Sequence, residues 1–254
     1  MIVRWFKKRR RKKLLQTPLP AAWRPILERL PFYPTLDDDD RGRLEGILRI
    51  IVAEKRWEGI GLELDDEKTV VVAAQAALLI LEIDHDYYRR VKSILVYPTA
   101  YESPFPRHAP GGVVSEGQRN AGEAWYRGPV ILTWDGVRQG AADPKDGHNL
   151  VLHEFAHKLD MLDGFVDGTP PLEKKDAYRL WVKVMTEEYQ RLREAARKGG
   201  RSVLDRYGAT NEGEFFAVAT ETFFEKPVQL TRKHAELYDI LKAYYRQDPY
   251  ARLK

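Results

Sequence analysis

The stretch NLVLHEFAHKLD, residues 149–160, decides the fold, because it places the pattern H-E-x-x-H inside an apolar run. On an α-helix, residues four positions apart lie on the same face, so the imidazoles of His153 and His157 can reach one metal ion. Glu154 lies beside the first imidazole and can hold a proton there. Two neutral imidazoles with a neighbouring carboxylate are what a zinc hydrolase needs to make hydroxide near neutral pH.

The residues around this motif help to distinguish a metal site from a chance match. Two histidines on the surface of a helix need no metal, and three matching positions can occur by chance. Here the motif is flanked by Leu150, Val151 and Leu152 and encloses Phe155, so the helix is apolar. Polar groups inside a buried helix must have partners or they cost stability. The context therefore favours a metal site on a helix over about residues 147–162.

The composition narrows the search for further ligands. The chain has 254 residues and no cysteine, which excludes disulfides, thiolate ligands and a cysteine nucleophile. The six histidines are at positions 85, 108, 148, 153, 157 and 234. A catalytic zinc takes three protein ligands and keeps one position open. Residue 163 is Asp163 and not the third histidine of the longer H-E-x-x-H-x-x-G-x-x-H pattern, so we expect a distant carboxylate as third ligand.

Two glutamates downstream are candidates for that third ligand. Glu214 opens the apolar run FFAVATETFFE, predicted as a helix over about residues 214–225, and Glu221 lies seven residues later on the same face. Spacing alone leaves both open, and Glu214 also fits an ordinary acid in a first helical turn. Tyr207, seven residues before Glu214, is a candidate donor to an oxyanion, although a half-buried loop aromatic has the same signature. Asp160 is a candidate to orient an imidazole.

The N-terminal arm, residues 1–16, differs from the rest of the chain. The net charge is +4, yet eight Lys or Arg lie within residues 4–13, so the remainder carries a small excess of acids. We expect a solvated and partly disordered tail. The alternative is weak contact with an anionic membrane surface through residues 4–13, with Trp5 and Phe6 as anchors. No base-reading module follows, so direct nucleic-acid contact is not expected. The lack of an export signal favours the cytoplasm.

The remainder, residues 17–254, is expected to be a single domain. Apolar spacing predicts few strands and many helices, which is typical of a mostly helical α+β fold with a small sheet beside the motif helix. The predicted strands are residues 92–97 and 129–134, and the other main predicted helices are residues 36–52, 67–81, 174–198 and 234–245. Residues 105–127 are rich in glycine and polar side chains, which indicates a loop or hairpin near a cleft.

Several motifs in order resemble one known family. HEFAHKLDMLDG, with GPVILTWDGV and DGHNLV upstream and EGEFFAVATETFFE downstream, resembles the Mlc titration factor A family of zinc-dependent peptidases over residues 20–250. The resemblance implies a zincin-like, gluzincin-type domain with a core similar to that of anthrax lethal factor. It implies one Zn²⁺ per chain, held by His153, His157 and Glu214, with Glu154 as general base and Tyr207 facing the reaction. Glu221 is then left with a supporting or structural role.

The same resemblance implies what the chain does. Family members are cytosolic and act as aminopeptidases on small substrates, and the enterobacterial member binds the repressor Mlc and relieves its DNA binding. The expected partners are therefore a peptide or protein substrate and an Mlc-like repressor. The rival interpretation is a protein-binding anti-repressor in which peptidase activity is secondary. Val218 departs from the thermolysin pattern, which has an acid four residues after the ligand glutamate. Candidate acids for a substrate amino terminus are Glu116, Glu123 and Asp163.

Overall fold

The computed structural model describes residues 2–83, 85–99 and 128–253, and the predicted loop or hairpin over residues 105–127 lies outside them. We number the elements along the described residues. The helices are α1 Ile2–Gln16, α2 Arg24–Glu28, α3 Asp38–Glu54, α4 Asp66–Leu79, α5 Trp134–Ala142, α6 Leu150–Asp160, α7 Lys175–Arg197, α8 Glu212–Glu225, α9 Pro227–Lys233 and α10 Ala235–Tyr245. The strands are β1 Arg56–Gly59, β2 Ser93–Tyr97 and β3 Val130–Thr133. Short 3₁₀ helices cover Ala21–Trp23, Tyr33–Thr35, Arg206–Ala209 and Ala251–Leu253.

The three strands of the described residues form one parallel sheet in the order β1-β2-β3. Ile94 at the start of β2 is opposite Trp57 on one side and Val130 on the other. A parallel pair needs a crossover connection, and α4 lies in the crossover between β1 and β2. The architecture is mostly helical with a small sheet. This confirms the predicted α+β, zincin-like fold.

Side-chain caps set where the main helices begin. Asp37 accepts a hydrogen bond from the backbone of Asp40 at 2.8 Å, and Asp65 does the same for Lys68 at 2.9 Å. Asn149 caps the motif helix α6 through the Leu152 amide at 3.1 Å. Each cap satisfies a backbone N–H that has no partner within its helix.

The motif helix α6 runs through the middle of the core. It packs against α8 along its length, and also against α4, α5 and β3. Its apolar face contributes Phe155, which is fully buried and lies edge to face with Tyr88 at 4.7 Å between ring centroids. On α8, Phe215 and Phe216 are buried beside it. The polar residues of the motif also lie at the contact between α6 and α8. The packing of the apolar side chains therefore fixes the separation of the two helices at the motif.

The basic N-terminal arm, for which the sequence favours a solvated and partly disordered tail, is the helix α1 in the structure. The helix lies on α3, where Arg11 forms a bidentate ion pair with Glu54 at 2.7 and 2.8 Å. Arg11 also contacts Asp86 and stacks over Tyr87. These partners are distant in sequence, so the composition of the arm alone could not indicate them. Among the described residues, no helix has both the length and the apolar character needed to cross a membrane.

Candidate active site

The structure brings the side chains of His153, His157 and Glu214 together at the α6–α8 contact. The two Nε2 atoms are 3.2 Å apart, and Glu214 Oε2 lies 2.9 Å from the Nε2 of His153 and 3.3 Å from that of His157. Helix α6 carries both imidazoles, and they face the same side because they are one turn apart. Helix α8 supplies the carboxylate from its first turn, where the Asn211 cap binds the Glu214 amide at 2.9 Å.

This triangle of atoms fits a tetrahedrally coordinated divalent ion. With metal–ligand bonds of about 2.0–2.1 Å, ligands at the corners of a tetrahedron are about 3.3 Å apart. The three observed separations of 2.9, 3.2 and 3.3 Å are close to that edge. A nitrogen and oxygen donor set suits zinc among other first-row metals. The residues present therefore fit a metal ion with three protein ligands.

Glu221 explains why the Nε2 atom of His153 is available as a ligand. Its Oε1 lies 2.7 Å from Nδ1 of His153, so the hydrogen-bond network assigns the ring proton to Nδ1. In the neutral imidazole Nε2 then carries a lone pair aimed at the Glu214 oxygen. Two electron-rich atoms at 2.9 Å need a proton or a metal cation between them. Glu221 thus orients a ligand from behind, in the way carboxylates commonly support metal-binding histidines.

A buried polar network holds Glu221 in turn. Its Oε2 accepts the backbone N–H of Asn149 at 2.5 Å. The side-chain amide of Asn149 donates to Gln75 at 2.7 Å and to Glu225 at 2.9 Å. Burial, with help from the neighbouring charge of Glu221, raises the pKa of Glu225 to about 8. The start of the motif helix is therefore tied to the middle and end of α8 through one asparagine.

The charges at the site follow from burial and from these contacts. Burial opposes a charge on His153, yet the carboxylates of Glu221 and Glu214 outweigh it and raise the pKa of this imidazole well above its usual value. Burial would also raise the pKa of Glu214, but hydrogen bonds with His153 and His157 hold it well below its usual range. Glu214 is thus a carboxylate, the form in which it can bind a cation.

Glu154 differs from the other two acids of the site. Its side chain is only 4% exposed, and within the described part of the chain its Oε1 has no hydrogen-bond partner. Burial raises its pKa above the usual value, against the opposing charges of His153 and His157. A carboxylate whose proton affinity is raised, with one oxygen that makes no hydrogen bond and with the candidate metal-binding imidazoles beside it, is suited to accept and return a proton.

Tyr207 lies close to His153 and Glu214. Asp205 caps its 3₁₀ helix by accepting the Tyr207 amide at 2.7 Å. The phenol ring is 6.0 Å from the His153 ring, between centroids, and half-buried. Burial, followed by the charge and hydrogen bond of Glu214, raises the pKa of Tyr207 far above its usual value. Tyr207 is therefore a stable O–H donor at neutral pH.

Asp160, expected to orient an imidazole, makes a different contact. Its Oδ2 accepts the Gly168 amide at 3.0 Å. Within the described residues, its Oδ1 and the Nδ1 atom of His157 are both buried without a hydrogen-bond partner. Gly168 has φ +73°, and a Cβ there would lie 2.4 Å from the carbonyl oxygen of Glu212. Asp160 thus holds the loop after α6 against the start of α8. The imidazole that a carboxylate orients is that of His153, through Glu221.

The other four histidines do not belong to the group of His153, His157 and Glu214, which we call the triad, and one of them lies outside the described residues. His148 is 3.6 Å from Asp205, and His234 is 2.6 Å from Glu188. His85 accepts the amide of Tyr87 at 3.2 Å. His108 lies outside the described residues, as do the candidate acids Glu116 and Glu123. Asp163 is exposed in the loop after α6, where it accepts the Phe165 amide at 3.0 Å.

Sequence reasoning missed two residues around the site. Asn149 precedes an apolar run, a common helix-capping signal, but nothing local indicates that its amide also connects Gln75 and Glu225. Lys158 follows Glu154 by four residues on the same helix face, which is the spacing of an i,i+4 pair. It is buried, burial lowers its pKa, and its charge interacts with that of Glu154.

Comparison with known proteins gives a family and several relatives. The sequence model described as glucose-regulated metallo-peptidase M90 matches residues 5–246. An uncharacterized protein of Synechocystis sp. is 42% identical over 244 residues, which cover 94% of this chain and 89% of that protein. The proteins called Mlc titration factor A in Yersinia pestis and Yersinia pseudotuberculosis are each 30% identical over the same shares. The matched region includes both helices of the triad.

Proposed function

Because the chain belongs to the glucose-regulated metallo-peptidases M90, the family of Mlc titration factor A, we propose that it cleaves peptides with one Zn²⁺ per chain held by His153, His157 and Glu214. Family membership makes the chain a metallo-peptidase. The choice of zinc and of these ligands is the proposal. The observation that carries it is the triangle of two imidazole nitrogens and one carboxylate oxygen at tetrahedral spacing.

Glu154 is the general base in this proposal. When bound, the ion supplies Lewis acidity that makes water a nucleophile near neutral pH and stabilises negative charge on the substrate. Glu154 accepts the proton of the attacking water through its unpartnered Oε1 and returns it to the leaving amine. Its raised pKa suits both steps, because a group titrating closer to neutral pH can take and release a proton. The water-poor surroundings strengthen each charge interaction.

Tyr207 is the proposed donor to the substrate oxygen. Its phenol stays protonated at neutral pH, so it can donate a hydrogen bond as negative charge develops on the carbonyl oxygen. The hydrogen bond between Tyr207 and Glu214 supports this role, because it brings the hydroxyl close to the proposed ligands. The variant Tyr207→Phe keeps the ring and loses the donor, so we expect kcat to fall about 100-fold with little change in KM.

We further propose that the substrate is bound by its free amino terminus, as the family resemblance implies. Such an enzyme needs an acid that binds the amino group, and Asp163, which is exposed in the loop after α6, is the candidate within the described residues. A panel that compares aminoacyl chromogenic substrates with N-acetylated, internally quenched peptides tests this. Cleavage of the acetylated peptides at equal kcat/KM would refute the aminopeptidase assignment.

The variant Glu154→Gln tests the mechanism as a whole. It keeps the size of the side chain and removes the basic oxygen, so we expect bound zinc to remain while kcat falls by about 100-fold or more. Glu212→Gln is a matched control, because Glu212 is exposed in the first turn of α8. Zinc content by elemental analysis and peptide turnover are measured on both. Retained turnover in zinc-loaded Glu154→Gln would contradict the proposed base.

A second function has one observation in its favour, the 30% identity to proteins called Mlc titration factor A. On that basis the chain would bind a glucose-system repressor, with peptidase activity secondary. The variant His153→Ala separates the two functions, since it should abolish metal binding and turnover. If the repressor of the source organism binds this variant as tightly as it binds the unmodified protein, docking is independent of peptidase chemistry. The cytoplasmic location also stays a prediction, which cell fractionation would test.

A further inference from the structure

The N-terminal helix α1 has an inner face that is bound to the rest of the protein. Lys7 pairs with Glu54 at 3.2 Å, and Arg11 binds the same carboxylate. Arg10 donates to the carbonyl oxygen of Ala53 at 3.0 Å. These contacts fix the helix along α3. They also fix which side chains point away from the protein.

The outer face of α1 combines two aromatic rings with four cations. Trp5 and Phe6 are 55% and 59% exposed and lie edge to face at 5.0 Å between centroids. Arg9 lies over the Trp5 ring at 5.4 Å. The stripes of residues 5-8-12 and 6-9-13 follow helical spacing, so the four cations share a side with the rings. The exposed cations of this outer face are Lys8, Arg9, Lys12 and Lys13, and none has a carboxylate partner among the described residues.

We propose that this outer face of α1 binds the surface of an anionic lipid bilayer, with Trp5 and Phe6 at the headgroup boundary. Exposed aromatic rings are normally costly in water, whereas Trp prefers the interface between lipid and water. Clustered lysines and arginines are attracted by the negative potential of anionic headgroups. Lys7 and Arg11 are paired with Glu54 and Asp86, and Arg10 is bound to a backbone carbonyl, so the other cations of the helix whose side chains the structure describes lie on its outer face.

The aromatic pair favours a bilayer over nucleic acid as the partner. A duplex backbone attracts cations equally well, but it offers no apolar layer for two adjacent rings. Helix α1 is about 22 Å long at 1.5 Å per residue, so it can lie flat on a headgroup layer with all four cations in reach. The proposed contact is peripheral, with the helix lying on the headgroup layer. This inference does not depend on the proposed zinc chemistry.

Vesicle binding of the full-length protein tests the proposal. Co-sedimentation compares vesicles of phosphatidylcholine alone with vesicles of equal parts phosphatidylcholine and phosphatidylglycerol, at low and at high salt. We expect binding to the mixed vesicles only, weakened by salt because exposed charges are screened. The double variant Lys12→Gln/Lys13→Gln should lower the partition coefficient about 25-fold, at about fivefold per cation. Trp5→Ala/Phe6→Ala should also lower it at constant charge.

A matched control separates the surface from net charge. Lys183→Gln/Arg197→Gln removes two exposed cations from α7 and should bind vesicles like the unmodified protein. Equal loss in this control would overturn the proposal, as would unchanged binding by the aromatic variant. Tighter binding to random-sequence duplex DNA than to mixed vesicles, at equal phosphate concentration, would also overturn it. Circular dichroism should be unchanged in all these variants, which reports that they are folded.

Discussion

Replacing Glu221 by Gln should change the proposed metal site without altering any of its three proposed ligands. The carboxylate of Glu221 accepts two hydrogen bonds, from Nδ1 of His153 at 2.7 Å and from the Asn149 amide at 2.5 Å. Both partners are donors. A glutamine offers one acceptor and one donor, so it can satisfy only one of them and must set its NH₂ group against the other. The substitution therefore keeps the volume and removes one charged hydrogen bond.

The size of the effect follows from that lost contact. A hydrogen bond to a charged group contributes about 1.5–3 kcal/mol, and an unpaired buried donor costs a similar amount. If His153 loses its acceptor, its ring proton is free to move to Nε2, which removes the lone pair that faces Glu214. We expect the Kd for Zn²⁺ to rise about 10–100-fold, the usual range for residues that orient a metal ligand.

Competition with a chromogenic zinc chelator measures this Kd directly. Glu212→Gln is again the control, because it removes the same charge from the same helix at an exposed position. Circular dichroism at 25 °C checks that both variants are folded. If Glu221→Gln binds Zn²⁺ within twofold of the control, the argument that Glu221 sets the tautomer of His153 is wrong.

Three further predictions concern stability. Burial raises the pKa of Glu225 from 4.5 to about 8. Its contribution to the free energy of unfolding is therefore fully present below pH 4.5 and is lost as pH rises through 8. Between pH 4.5 and 8, the unmodified protein should lose unfolding free energy as pH rises, and the variant Glu225→Gln should lose less. The difference in slope should be up to about 1.4 kcal/mol per pH unit, measured by denaturant titrations. Gly168→Ala should destabilise by about 2 kcal/mol or more in the same titrations, since φ is +73° and the Cβ would meet the Glu212 carbonyl. Removing the metal with a chelator should lower Tm by about 5–10 °C, because a ligand at 100 times its Kd stabilises by about 2.7 kcal/mol. An unchanged Tm would contradict a metal ion bound by His153, His157 and Glu214.

Much of the local structure was predictable because several helices carry their own signals, whereas helix α1 was expected to be a tail. Asp37 and Asp65 mark the starts of α3 and α4, and apolar spacing sets the faces that these helices bury. The two predicted strands at residues 92–97 and 129–134 correspond to β2 and β3. Their parallel pairing was not predictable from these signals. It depends on the crossovers between them, which no short window of sequence encodes.

The choice between Glu214 and Glu221 shows where spacing stops being informative. The two glutamates share a face of α8 and are two turns apart, so the pattern alone could not rank them. In the structure both reach the same imidazole, Glu214 at Nε2 and Glu221 at Nδ1 of His153. The ring is the element that separates their roles, because its two nitrogens point in different directions. That orientation depends on the packing of α6 against α8, and so on the tertiary structure.

The same geometry separates the roles of three acids that composition cannot tell apart. Glu214 is held by two Nε2 atoms, which keep it ionised and suit it to a cation. Glu221 has both oxygens committed, one to an imidazole and one to a backbone amide, so proton exchange there would break the support of His153. Glu154 alone of the three combines burial and a raised pKa with an oxygen that has no partner in the described structure. Proton transfer at Glu154 breaks no hydrogen bond of that oxygen, whereas proton transfer at Glu214 or Glu221 would disturb the geometry of the proposed metal site. This difference supports Glu154 as the base, with Glu214 as ligand and Glu221 as the residue that positions His153.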